Sequence, residues 1–145
     1  MNAGSAMPAD AEASVAAGVL AMLRSDSQLQ DMFGTPARVF DDETRAPVFP
    51  FIRLERLRTT DAGAIDTPAL EHTVTFSTAS RWGGRLRAKI GLGRLRYALE
   101  TQPIAVSGLH VVMQQVTYSD VLRAADRRSF RGVLQFRMIT EEAAV

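Results

Sequence analysis

Residues 70–100, LEHTVTFSTASRWGGRLRAKIGLGRLRYALE, decide the fold because the periodicity changes once within them. Leu70, His72, Val74 and Phe76 alternate with Glu71, Thr73, Thr75 and Ser77, the period of two expected of a half-buried strand. From about Arg85 to Glu100 the spacing becomes helical. Ala88, Gly91, Leu92, Leu95, Ala98 and Leu99 fall on one broad apolar face. That helix spans roughly 24 Å at 1.5 Å per residue, and Gln102-Pro103 ends it. Between strand and helix stand Trp82, Gly83 and Gly84. The glycines allow the positive φ of a sharp turn, and Trp82, the only tryptophan, is expected to plug the corner.

Working outward, residues 1–9 are small and polar and read as a flexible arm. The sequence from Asp10 predicts a helix with Val15, Val19, Met22 and Leu23 inward, and Gly18 suggests a close helix approach. Asp26 is placed to cap a second turn, SQLQDMF, closed by Gly34, with Leu29, Met32 and Phe33 in the core. Ala37–Phe40 reads as a short strand. Pro50 fixes the start of the next, in which Ile52 and Leu54 face away from Arg53 and Glu55. TTDAGAIDTPA, residues 59–69, reads as a long loop with few apolar anchors, the kind that is usually functional. Two further strands are expected over Leu109–Leu122 and Phe130–Thr140, joined by the AADRRS turn, with 142–145 a flexible tail. In the last strand Gly132, Leu134, Phe136 and Met138 share one face. The order predicts one α+β domain over residues 10–141: a mainly antiparallel sheet of about four to five strands, with two main helices packed against it.

The composition narrows the chemistry. There are no cysteines, so disulfides and thiolate catalysis are excluded. Two histidines, His72 and His110, make a dedicated metal site an unpromising reading, and Asp41, Asp42 and Glu43 lack the spacing of a cation loop. No apolar run approaches the roughly 20 residues of a membrane span. The turn at Gly83-Gly84 raises the alternatives of a phosphate loop, a catalytic turn or a subunit contact. It matches neither GxxxxGK[ST] nor GxGxxG. No serine lies in a GxSxG setting and no acid pair suggests hydrolysis. No catalytic residue, metal ligand or cofactor site is therefore assigned.

Charge is more informative. The net charge is +1, yet residues 81–137 hold eleven Arg and Lys against three acids, while the rest holds six basic and thirteen acidic residues. Such polarity suits either nucleic acid or an acidic face of one subunit meeting a basic face of the next. The second helix carries a further apolar stripe, Leu86, Ile90 and Tyr97, flanked by Arg87 and Arg94. A single apolar face covers a sheet, so the second stripe calls for the first helix or a neighbouring subunit.

Taken in order, these segments resemble a known family. The matching features are Phe49-Pro50-Phe51, the His72-Thr-Val-Thr-Phe strand, the Ser80-Arg-Trp-Gly-Gly turn, the basic helix and the final Gly132-Val-Leu-Gln-Phe-Arg strand. Over about residues 10–141 the chain resembles the tail-terminator (tail-completion) proteins of long-tailed phages and gene transfer agents. The resemblance implies a virion protein assembled in the host cytoplasm, and a homo-oligomeric ring, six subunits in number. The ring would cap the head-proximal end of the tail tube, with DNA passing through its lumen. Its implied partners are the tail tube protein and a head-side connector or stopper; no membrane and no catalytic residues are implied. A connector or stopper is the alternative within virion structure, and a DNA-binding module the alternative outside it. Expected subunit contacts are Arg87, Arg94, Tyr97, Arg123, Arg127 and Arg128. Thr59, Thr60, Asp61, Ile65 and Asp66 are expected in a loop touching tube or connector, and Trp82, Gly83 and Gly84 in a structural corner.

Overall fold

A computed structural model of the chain describes residues 7–43 and 45–143. The first helix, α1 (Ala11–Ser25), buries Val15, Val19, Leu20 and Leu23, and Arg24 stands in its last turn, where a cation complements the helix dipole. Leu20 takes the inward place expected of Met22, which is only partly buried against the core. A side chain at Gly18 would strike the carbonyl of Ala105, so the close approach there is by the 102–108 connection and not by a helix. The Asp26 carboxylate accepts from the Leu29 amide at 3.0 Å and starts α2 (Ser27–Phe33), which ends at Gly34 with φ of 97°. The Arg24 guanidinium donates to the Val39 carbonyl through Nε at 3.1 Å and Nη2 at 2.8 Å, fastening α1 to the first strand.

The five strands are β1 (Val39–Phe40), β2 (Phe51–Asp61), β3 (Ala69–Ser80), β4 (Leu109–Arg123) and β5 (Phe130–Glu142), in the order β1-β2-β3-β5-β4. Only the β1–β2 pair is parallel. The helix α3 (Gly84–Thr101) follows β3, and β5 then returns between β3 and β4. Val74 lies opposite Phe136 and Phe76 opposite Leu134. These four are fully buried, with Met138, under Leu95 and Leu99 of α3 and beside α1 and α2. Each such side chain contributes about 1.5–3 kcal/mol by leaving water. The buried face of α3 is Ala88, Gly91, Leu92, Leu95, Ala98 and Leu99, as the periodicity predicts. Gln114 of β4 donates to the carbonyls of Leu99 at 2.6 Å and Gln102 at 2.8 Å, closing the helix C-terminus. The fold is α+β, with all three helices on one face of the sheet's core.

Two expectations change. β2 continues through Thr59, Thr60 and Asp61, which pair with His72, Glu71 and Leu70, so the connection is residues 62–68 and not 59–69. Thr59 is held there by its hydroxyl, 2.9 Å from His72 Nδ1, a long-range bond that local composition does not reveal. At the other end, β5 runs to Glu142 and the Ala143 amide donates to the Gly108 carbonyl at 3.2 Å. Of the expected arm, Met7 packs against the core; residues 1–6 of the arm and 144–145 of the tail lie outside the described residues.

Candidate assembly surfaces

The corner after β3 is built by backbone. Gly83 (φ 86°) and Gly84 (φ 64°) both occupy the left-handed region, so the chain reverses into α3 without strain. Trp82 does not plug that corner: it is 70% exposed. Its neighbour Arg81 lays its guanidinium over the Phe49 ring, 4.1 Å from the centroid. Trp82 instead walls a cleft of about 340 Å³ together with Pro50, Ser80, Arg81, Gly83 and Arg87. Ser80 lines it too, with its hydroxyl buried and without a hydrogen-bond partner. No side chain caps α3, and its first turn holds no acid.

Around this corner the sheet gathers cations. Ser80 pairs with Phe130, and Phe130 with Arg123, so the ends of β3, β4 and β5 meet. Arg85 and Arg123 both stand over the Phe130 ring, at 5.4 Å and 4.9 Å. The β4–β5 turn adds Arg127 and Arg128, both exposed. It is shaped by Asp126, which accepts from the Arg128 amide at 2.9 Å and from the amide and hydroxyl of Ser129 at 3.0 and 2.9 Å. Those bonds to the ionised carboxylate hold its pKa below the usual range, the backbone donors first. Asp126 is thus committed to the turn, and the arginines around it stay available.

The opposite end of the sheet is acidic. Asp61 pairs with Leu70, Glu71 with Ile139, and His110 with Glu141, bringing the β2–β3 connection, the end of β5 and the start of β4 together. Asp61, Asp66, Glu71, Glu141 and Glu142 all stand at this end, Glu71 paired with Arg137 and Glu141 with its Oε1 3.5 Å from His110 Nδ1, and Ile65 at the hairpin tip is 99% exposed beside Asp66. At about 3.3 Å per residue the strands set the two ends roughly 35–40 Å apart. Part of the charge asymmetry of the sequence is therefore a polarity along the strands, with Arg81, Arg85, Arg87, Arg123, Arg127 and Arg128 at one end and these five acids at the other.

Two further surfaces lack partners within the monomer. Leu86, Ile90 and Tyr97 are exposed on the outer side of α3, 71%, 41% and 51% respectively. Strand β4 is a free edge of fifteen residues, with Val112, Tyr118 and Leu122 exposed, and two bulges interrupt its register.

None of this geometry suggests a reaction centre. Among the described residues no three His, Asp or Glu side chains gather as a metal would need. His72 has both ring nitrogens occupied, by Thr59 and by Thr140 Oγ1 at 2.8 Å. A family model described as tail completion protein gp17 matches residues 17–141. The chain belongs to that family. It is accordingly a structural component of a phage-type tail, carried in the virion. A chain in a solved structure titled as the virion of a native gene transfer agent particle has the same fold. The TM-score is 0.81 over 92% of this chain and 99% of that one, at 21% identity. No curated protein sequence matches.

In this member of the family, the structure divides the contact residues expected from the sequence into separate groups. Arg123, Arg127 and Arg128 lie together at the basic end, with Arg87 nearby at the start of α3. Arg123 is partly engaged, donating to the Arg127 carbonyl at 3.2 Å. Tyr97 stands apart on the outer stripe. Arg94 turns inward to the Gln28 carbonyl at 3.2 Å and ties α3 to α2. Ile65 and Asp66 occupy the hairpin tip, while Thr59 belongs to the core side of β2. The sequence reading missed the cleft, because Pro50 and Arg87 come from segments that only the fold brings to Ser80.

Proposed function

We propose that this protein terminates its tail. Six copies close into a ring at the head-proximal end of the tail tube. The ring halts tube growth and presents its other face to a head-side connector or stopper. DNA passes through the lumen without sequence-specific contact, and the ring is assembled in the host cytoplasm before it enters the particle. It has no catalytic role.

The observation that carries this reading is the opposite charge of the two ends of the sheet. A patch on one end that complements a different patch on the other makes heterologous contacts, and heterologous contacts close into rings or run on as filaments. Arg123, Arg127 and Arg128 of one copy then face acids of the next. The outer stripe of α3, with Leu86, Ile90 and Tyr97 beside Arg87, gives the ring a second, apolar contact. The β2–β3 tip, with Ile65 and Asp66, is an assembly contact at the acidic end.

Negative-stain imaging of the purified protein with and without tail tubes tests the reading. A six-fold ring at one end of each tube, with tube lengthening arrested, is the expected result. Chains bound along DNA, or tubes that keep growing with no density at either end, would overturn it.

A further inference from the structure

The cleft at the α3 corner and the tip of the β2–β3 hairpin lie at opposite ends of the molecule and match in chemistry. The cleft has an apolar wall, Pro50 and the Trp82 ring, and a cationic rim, Arg81 and Arg87. Neither arginine has an ion-pair partner among the described residues. The first turn of α3 adds amide groups with no capping side chain, and that turn carries Arg85 and Arg87 where the helix dipole would favour acids. Ser80, which lines the same cleft, has its Oγ buried without a partner. A site so equipped takes an aliphatic group followed by a carboxylate.

The hairpin tip offers that pair. Ile65 is the most exposed large apolar side chain among the described residues, and Asp66 beside it has no cation partner there. The tip is a short connection, held by the Ala64–Thr67 bridge and by the Gly63 amide donating to Asp61 at 3.2 Å. It is therefore presented on a scaffold and loses little freedom on docking.

We propose that the tip of one copy seats in the cleft of the next, with Ile65 against Pro50 and Trp82 and the Asp66 carboxylate toward Arg81, Arg87 and the first turn of α3. This rests on the ring reading and names the contact that joins its subunits. Tip and cleft cannot meet within one molecule across the length of the strands, so the contact joins two copies, and in a ring each copy gives one tip and receives another.

Trp82 is the only tryptophan, so its fluorescence reports the cleft alone. The titrant is a full chain carrying Trp82→Phe and Arg87→Glu, which is dark and lacks a working cleft but keeps its hairpin. Added to the wild-type chain, it should shift the Trp82 emission to the blue and saturate. The same dark chain with Ile65→Ser should leave the emission unmoved. Circular dichroism of each variant verifies that it is folded before titration. Emission unmoved by either chain, or moved equally by both, overturns the contact; so does a shift that only added tail tubes produce. If rings still form on tubes while Trp82 ignores the dark chain, the ring stands and this contact falls. If no ring forms but the tip still shifts Trp82, the ring reading fails and the contact stands.

Discussion

His72 is the only ionisable side chain buried among the described residues. A neutral imidazole donates through one nitrogen and accepts through the other, and the hydroxyls of Thr59 and Thr140 serve either role. Burial pushes the His72 pKa down, against a smaller opposing effect from Glu12. The unfolded chain takes up this proton near pH 6.5, the folded chain only at lower pH. Below about pH 6.5 the unfolded state therefore binds more protons, and the stability present above that pH is lost as it falls. Denaturation of the wild type between pH 7 and 5.5 should show a declining midpoint, with a shallower decline in His72→Gln. The same substitution should cost about 1–3 kcal/mol at pH 7, by leaving a threonine hydroxyl without its partner. Equal slopes for the two proteins would mean that His72 does not carry the effect.

At the scale of elements, the legible parts of the sequence were those with local periodicity. The face of α3 and the alternation of β3 and β5 follow from 3.6- and 2-residue repeats, and the Asp26 cap and Gly34 stop from local turn chemistry. The hairpin was misplaced by three residues because Thr59, Thr60 and Asp61 look like loop, and only pairing with β3 makes them strand. Trp82 stands outside because Gly83 and Gly84 turn the corner by backbone alone, and the residue that joins it at the cleft, Pro50, lies thirty-odd positions away in sequence. The tip itself bears no core residue. Replacing Gly63–Asp66 by Asn-Gly, a two-residue turn suited to a hairpin, should leave the thermal midpoint almost unchanged and abolish assembly on tubes. Loss of folding, or particles formed at the normal rate, would contradict the role given to the tip.

For the whole molecule, the sequence carried the charge imbalance but not its direction. Acids from 61–71 and from 141–142 are far apart in the chain and adjacent in the fold, because β5 lies beside β3. That order is set by non-local pairing, and it turns a difference between segments into opposite ends of one body. The candidate site is likewise non-local, drawing on Pro50, Ser80 and Arg87. The central claim is that such a body joins head to tail and closes. The chain has no cysteine, so Ala64→Cys with Arg85→Cys places one thiol beside the tip and one in the first turn of α3 beside the cleft, and keeps Ile65, Asp66, Trp82, Arg81 and Arg87 in place. Oxidised on tail tubes and run without reductant, this variant should give a linked series that ends at a closed species of six chains. A series that stops at two chains, or no linked species on tubes whose rings are visible, would contradict the account.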